Sequence, residues 1–413
     1  MVVLAAGDDG VPMTSERLDC EVLVVGAGPA GSATAAALAA RGRDVLLVES
    51  RSHPRPKACA EYASPRIVEE LRRLGLADRA WQEDALSLSG MRVIRGDDAV
   101  DIRYRDADGQ RTAWGLDRTA FDATLAAHAV ARGARLLEQT AFEDVHWRGG
   151  VGGIGGRVKG TVLRTADGRR SVRCRWLVGA DGARSRVSQR LSVERWVRAP
   201  RRLGLVAHYE AIPELAESGE MHVGPGWYVG LAPLAGGRLN VGMALPMNGD
   251  GRRDAESRFQ AAIDGIPAVA ARLQGRKRLT PIRGASPIGH RVARAAGRGW
   301  MLVGDAAGFI DPFTGEGIYR ALRSARAAAE ALAADDEGAP ARYLAARRRA
   351  FAAKDALTWL VQGLLATPPV MSHALRNLAA RPELATRLGS ALGDCRPASD
   401  ALSPLFLAQV LRP

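Results

Sequence analysis

The sequence predicts an α/β fold: a parallel-sheet domain interleaved with a second β-sheet domain and followed by a C-terminal helical cap. Three observations lead there. Apolar runs of strand length pass through glycine-containing turns into helical stretches near residues 20–40, 176–187 and 301–320. Between the second and third of these, residues 195–285 carry strand-like runs, as do residues 85–110. Beyond them, residues 337–413 are rich in Ala, Arg and Leu at helical spacing.

The first unit begins with Cys20-Glu21-Val22-Leu23-Val24-Val25, a short buried-strand pattern. It runs into Gly26-Ala27-Gly28-Pro29-Ala30-Gly31 and an Ala-rich helix expected over 32–40. Gly26 permits a tight turn, Gly28 lets the backbone approach a pyrophosphate, and Gly31 allows close helix packing, the Rossmann-type arrangement. A second strand over 44–48 ends at Glu49, 18 residues beyond Gly31. That spacing suits a carboxylate that binds adenosine ribose hydroxyls, with Ser50 beside it and Ala30 inside the turn.

The second unit, Trp176-Leu177-Val178-Gly179-Ala180-Asp181-Gly182, repeats strand and tight Asp-Gly turn before a helix near Arg184 to Val187. The third, Met301-Leu302-Val303-Gly304-Asp305, places a carboxylate at a strand mouth, where it can take a ribityl or ribose hydroxyl. Pro312, Gly315, Gly317 and Ile318 then open a helix whose first-turn amides are free to face an anion. A reduced flavin is such an anion.

Composition narrows the partners. The 413 residues are 47% hydrophobic, enough for a large core and two domains. Of 58 basic residues only four are Lys (57, 159, 277 and 354), a skew of the kind GC-rich codons produce. The net charge of +13 is spread along the chain with few interleaved aromatics, which argues against nucleic acid and suits an anionic substrate, a carrier-bound acyl chain or NADPH. Cys20, Cys59, Cys174 and Cys395 show no metal-ligand spacing and suit a reducing cytoplasm. Residues 1–17 lack a signal-peptide pattern and are expected to be a disordered tail; no apolar run is long enough to span a bilayer. The apolar stretch 402–411 is expected to pack as a terminal helix, with contact to a membrane surface or closure over an apolar pocket as the alternatives.

The three units, in this order, resemble the FAD-contact motifs of the para-hydroxybenzoate hydroxylase superfamily. The resemblance implies FAD as cofactor, an Asp181-Gly182 pair beside its pyrophosphate and ribose, and a sheet that roofs the flavin. It divides the chain into an FAD-binding domain (18–84, 111–190 and 286–334), a substrate sheet domain (85–110 and 195–285) and the helical region 337–413. Within the sheet, 227–231 and 238–245 flank Ala235-Gly236-Gly237 and read as a hairpin. Gly149 to Gly156 reads as a loop joining two strands. In 115–125 the pattern is similar to a family segment in which an arginine, here Arg118, touches FAD from a helix start; Asp117 as a plain N-cap with Arg118 solvated is the alternative.

His53-Pro54-Arg55-Pro56-Lys57-Ala58-Cys59-Ala60-Glu61-Tyr62-Ala63-Ser64-Pro65 is similar to the signature of the geranylgeranyl reductase branch, in which this segment runs along the flavin with the cysteine near its ring. The branch often has Gly after that Cys, whereas this chain has Ala60-Glu61-Tyr62. The Trp-x-Trp-x-Ile-Pro pattern of flavin halogenases is missing. Candidate catalytic residues by type and position are Cys59, Glu61, Tyr62 and Tyr228, with His208 and His222 as further acid–base candidates. The expected activity is an FAD-dependent monooxygenase using NAD(P)H and oxygen on a hydrophobic secondary metabolite. The alternatives are a reductase of carbon–carbon double bonds and an FAD-binding protein that shapes a substrate without redox turnover.

Overall fold

The parallel strands stop where the glycine turns begin. In the computed structural model, which describes residues 18–149, 155–195, 197, 201–215, 217–247, 254–334 and 336–412, Cys20–Val25 lies between Val45–Val48 and the second half of Gly168–Gly179, parallel to both. Arg135–Leu137 and Trp300–Leu302 continue the sheet on either side, also parallel. Leu23, Val24, Leu47, Leu177, Val178 and Leu302 are fully buried. A parallel sheet covered on both faces calls for such unbroken apolar runs. The first half of Gly168–Gly179 instead pairs antiparallel with Arg157–Thr165, which pairs with Ala141–Arg148. The glycine-rich stretch 149–156 does connect these two strands, but its residues 150–154 lie outside the described residues, as does the tail 1–17.

The first helix runs over Pro29–Ala39, three residues ahead of the expected start. Pro is favoured there because its missing N–H would have had no helical partner. This helix packs against Arg118–Ala131 and Gly317–Leu332, the helices that bring Arg118 and the third motif to the same edge. In such sheets ligands lie beyond the carboxyl ends of the strands, here at Val25, Val48, Gly179 and Leu302.

The roof is an eight-stranded sheet in the order Arg283–Ala285, Arg202–Glu210, Arg238–Pro246, Trp227–Leu234, Gly219–Gly224, Gly90–Arg95, Asp98–Asp106, Gly109–Arg111. The expected hairpin is present, pairing Tyr228 with Ala244 through Leu234 with Arg238, and Gly236 and Gly237 turn it at positive φ. One face carries Leu205, Val229, Leu231, Leu239 and Val241 against the helices Ala255–Asp264 and Pro267–Leu273. The other carries His208, Tyr228 and Asn240 and faces the Cys59 segment, to which Asn240 is bonded.

One strand departs from the expected division. Ala85–Leu88, expected in the roof, pairs with Ala113–Leu116, which also pairs with Tyr62–Ala63, to make a separate three-stranded sheet. It belongs there because Ala85 packs into the cluster of Trp81 and Trp114, whose rings meet edge to face at 4.8 Å. The described residues of 337–412 are largely helical as expected: Ala339–Ala366, Pro368–Ala379, Pro382–Leu392 and Pro404–Leu411. They cover the Val100, Ile102 and Tyr104 face of Asp98–Asp106 with Leu357, Val361, Leu375 and Leu378. The terminal helix buries Phe406 and Val410 while Leu405 and Leu411 stay exposed. Among the described residues no helix is long and apolar enough to cross a membrane.

Candidate active site

At the nucleotide end, three glycines play different parts. A Cβ on Gly31 would stand 1.7 Å from the Gly26 carbonyl oxygen, and one on Gly26, whose φ is +99°, would stand 2.7 Å from the Ala180 oxygen. Those two glycines are demanded by the chain's own packing. Nothing lies within 4 Å of a Cβ built on Gly28. The open side of Gly28 is a backbone cradle of the kind a pyrophosphate occupies, so the residues present fit FAD.

Glu49 sits beside this cradle but is already engaged. Its Oε2 accepts from the Ala27 amide at 3.0 Å and from Arg55 Nη2 at 2.9 Å. Its Oε1 accepts from Ser50 Oγ and the Arg51 amide. Burial pushes this carboxyl up, but Arg55 and the Ala27 amide more than offset that and leave it below its usual value. Glu49 therefore braces the glycine turn and is ionised there. Glu49→Ala is expected to weaken FAD binding by at least about tenfold, because the turn loses its acceptor as well as any contact to ribose. A fluorescence titration giving an unchanged dissociation constant would remove Glu49 from the site. Lys57 stands over the Asp-Gly turn, its Nζ 3.8 Å from where a Cβ on Gly182 would be. Asp181 accepts from the Val187 amide in the first turn of the helix Arg186–Arg190, which Ser185 caps, and burial raises the Asp181 carboxyl.

At the end assigned to the flavin, Gly304 sits at φ +58°, and a Cβ there would meet Ala30 Cβ at 2.8 Å, so strand and first helix close together here. Asp305 follows, partly exposed, within a short 3-10 turn, Gly304–Ala307. The third-motif helix begins later than expected. Pro312 opens its own short turn, Pro312–Thr314, capped by Asp311, and the α-helix starts at Gly317. The reason is Gly315: its φ of +67° interrupts the helix and leaves room for the Tyr62 ring, which a Cβ would meet at 2.9 Å.

Between these ends lies the Cys59 segment, pinned to the roof. Asn240 Nδ2 donates to the Cys59 carbonyl and to Glu61 Oε2, both at 2.9 Å. His208 Nε2 lies 2.5 Å from the same Oε2, and Glu61 Oε1 accepts from the Arg118 amide at 3.0 Å. Glu61 is held at φ +56°, a left-handed conformation that costs a residue with a side chain roughly 1–2 kcal/mol. Three partners on three elements keep it there. Arg118 is buried rather than solvated: Nε and Nη2 form a fork with Asp122, and Nη1 lies 3.3 Å from Cys59 Sγ. Asp117 is the N-cap, accepting from the Thr119 amide. Ala60, where the branch often has Gly, fits because the roof has Gly242 opposite: a Cβ there would approach Ala60 Cβ at 3.3 Å.

The remaining candidates are placed elsewhere. Tyr62 Oη and Tyr104 Oη share a hydrogen bond at 2.8 Å, and burial pushes the Tyr62 hydroxyl up. Tyr228 donates to Asp311 Oδ1 at 2.7 Å, and Arg202 Nη1 donates to Asp311 Oδ2 and to Gln362 at 2.5 Å each. Burial, then the Asp311 charge, push the Tyr228 hydroxyl up. Both tyrosines brace the site. His222 pairs with Glu220 on the opposite face of the roof, the face that carries Val229 and Leu231. Sequence reasoning missed Asp122, Asn240, Asp311 and Arg202. Asp122 was detectable as an i,i+4 partner of Arg118, and Asp311 as a cap before proline. Asn240 carried no local signal.

Comparison with known proteins identifies the family. The model of the family described as FAD binding domain matches residues 19–355. A menaquinone reductase of Mycolicibacterium smegmatis is 33% identical over 323 residues, 75% of each chain. A digeranylgeranylglycerophospholipid reductase of Methanosarcina acetivorans is 30% identical, covering 75% of this chain and 74% of that protein. Among solved structures, a flavin-dependent brominase superposes with a TM-score of 0.78 at 21% identity, covering 93% of this chain and 98% of that one. A geranylgeranyl bacteriochlorophyll reductase-like protein from Thermoplasma acidophilum does so with 0.74 at 23% identity, covering 96% of each. At these identities the structural likeness shows the fold alone.

Proposed function

Because this chain belongs to the FAD-dependent oxidoreductases of the para-hydroxybenzoate hydroxylase superfamily, in the geranylgeranyl reductase-like branch, we propose that it reduces carbon–carbon double bonds. The substrate is a hydrophobic, isoprenoid-type molecule and the electrons come from NAD(P)H. The observation that carries this choice is a protonatable group at the cofactor cleft: Cys59, with its sulfur against the buried Arg118 guanidinium and its backbone fixed by Asn240. The reductases among the relatives support the same reading.

Bound FAD, once reduced, supplies an electron pair and one hydrogen to one carbon of the double bond. The other carbon then needs a proton, which the protein has to deliver. Cys59 Sγ gives that proton, and Arg118 compensates the charge left on sulfur. Asp122 keeps Arg118 in place through its two-pronged contact. Glu61 and His208 form an acid–base pair behind the thiol, and His208 keeps 17% of its side chain exposed, an edge for proton exchange with solvent.

Incubation with NADPH and a prenyl alcohol under strictly anaerobic conditions in heavy water tests the reading. The expected product gains two hydrogens, at least one of them deuterium, at the carbon protonated by the exchangeable donor. Absence of reduction without oxygen, together with oxygen incorporation when air is admitted, would return the assignment to the monooxygenase expected from the sequence.

A further inference from the structure

The residue that precedes the flavin-facing helix is a glutamate that does not cap it. Glu316 occupies the N-cap position of Gly317–Leu332, yet its side chain makes no capping hydrogen bond. Gly317, Ile318 and Tyr319 are the first residues of the helix, whose amides have no partner inside it, and nothing lies within 4 Å of a Cβ built on Gly317. The carboxylate is instead turned inward and buried. Glu316 Oε2 lies 3.2 Å from Lys354 Nζ, and Oε1 lies 3.3 Å from Thr358 Oγ1 and 3.5 Å from Arg320 Nη1. Lys354, 4% exposed, also contacts Asp394 Oδ1 at 3.1 Å and donates to the Ala391 and Leu392 carbonyls. Arg320 is paired with Asp355 at 2.7 Å.

We propose that Lys354 is a positioning residue for the flavin: it draws the Glu316 carboxylate away from the mouth of the helix, so that the mouth stays positive and accepts the negative charge of the reduced ring. Acidic side chains settle at helix N-termini because the free amides and the helix dipole attract them. A glutamate at this position, left to itself, competes for the site that the ring's N1 and O2 edge would take. The ammonium of Lys354 offers a stronger partner on the far side. Burial pushes the Asp394 carboxyl up to about 6, with the Glu316 charge adding to the rise. Burial also pushes Glu316 up, but Lys354 and then Arg320 more than offset it and keep that carboxyl below its usual value. The helical region 339–394 thus reaches into the cofactor site through charge, with no contact to substrate required.

The inference rests on FAD binding and not on which substrate is reduced, and a flavin titration of the natural protein checks that premise separately. The test is the midpoint potential of bound FAD. In Lys354→Met the Glu316 carboxylate, left with only Thr358 and the longer contact to Arg320, is expected to disfavour the reduced cofactor about tenfold relative to the oxidised one, which is about 30 mV downward for a two-electron couple. Adding Glu316→Gln to that variant is expected to restore the natural potential, because no charge is then left to compete. A double variant that stays as low as Lys354→Met would overturn the proposal, since Lys354 would then act only through packing. Should Lys354→Met fail to fold, Glu316→Gln alone carries the test: with the Glu316 charge removed and Lys354 still paired to Asp394, the potential is expected to rise by a similar amount, and an unchanged potential overturns the proposal.

Discussion

Gly31→Ala is expected to yield protein that neither retains FAD nor keeps its natural stability. The added methyl would lie 1.7 Å from the Gly26 carbonyl oxygen; that oxygen belongs to backbone, and the methyl is fixed directly to Cα, so neither can rotate away. The turn would have to open, pulling the helix Pro29–Ala39 off the sheet, where Ala33, Ala35, Ala36 and Leu38 are buried. Overpacking of this kind costs about 1–3 kcal/mol or more. Gly28→Ala makes the informative contrast. Its methyl meets nothing in the protein and projects into the space assigned to the pyrophosphate, so the variant should melt like the natural protein while losing FAD affinity. Flavin absorbance of the purified variants and thermal melts with and without added FAD separate the two effects. A Gly28→Ala protein with full flavin content would mean that the phosphates lie elsewhere.

Cys59→Ala is expected to lower kcat for double-bond reduction by about 10²–10⁴-fold, the usual contribution of a positioned acid, with FAD content unchanged. The thiol touches Arg118 Nη1 and the Glu61 amide, while the bonds that shape its segment run through the Cys59 carbonyl and the Glu61 carboxylate, which the substitution leaves intact. Reduction of FAD by NADPH should proceed at its normal rate, so the loss would fall on the step that follows. Full activity in the variant would move the proton donor to Glu61 and His208. Loss of flavin would mean that Cys59 shapes the cofactor pocket instead.

The glycine turns and caps of the candidate site were legible in the sequence because each is local. Gly26, Gly28 and Gly31 act within one turn, Asp181-Gly182 within another, and Asp117 caps its own helix as its residue type and position suggest. The start of the third-motif helix was misplaced because Pro312 and Gly315 both carry turn signals, and only the Tyr62 ring over Gly315 shows which of them delays the helix. Ala85–Leu88 was assigned to the wrong sheet because a short strand carries no mark of its partner. Arg118 was open between solvent and cofactor; the structure buries it between Asp122 and Cys59, an environment assembled from two distant segments.

The two histidines of the roof show where sequence information ends. His208 and His222 both lie in alternating strands, and residue type does not distinguish them. Strand register does: His208 is opposite Asn240 on the face toward Cys59, whereas His222 is opposite Val229 on the face packed against helices. Because side chains alternate across a strand, a slip of one residue would exchange the two faces. The sequence by itself determined the α/β class, the strand–turn–helix units and the FAD chemistry they imply, since each rests on glycine freedom and hydrophobic period within a few residues. Only the tertiary structure decided which acid meets which base, that Glu49 braces a turn, and that Glu316 is turned from its helix toward Lys354. Those contacts join residues far apart in the chain, and side-chain charges find their partners only after the sheets and helices have packed.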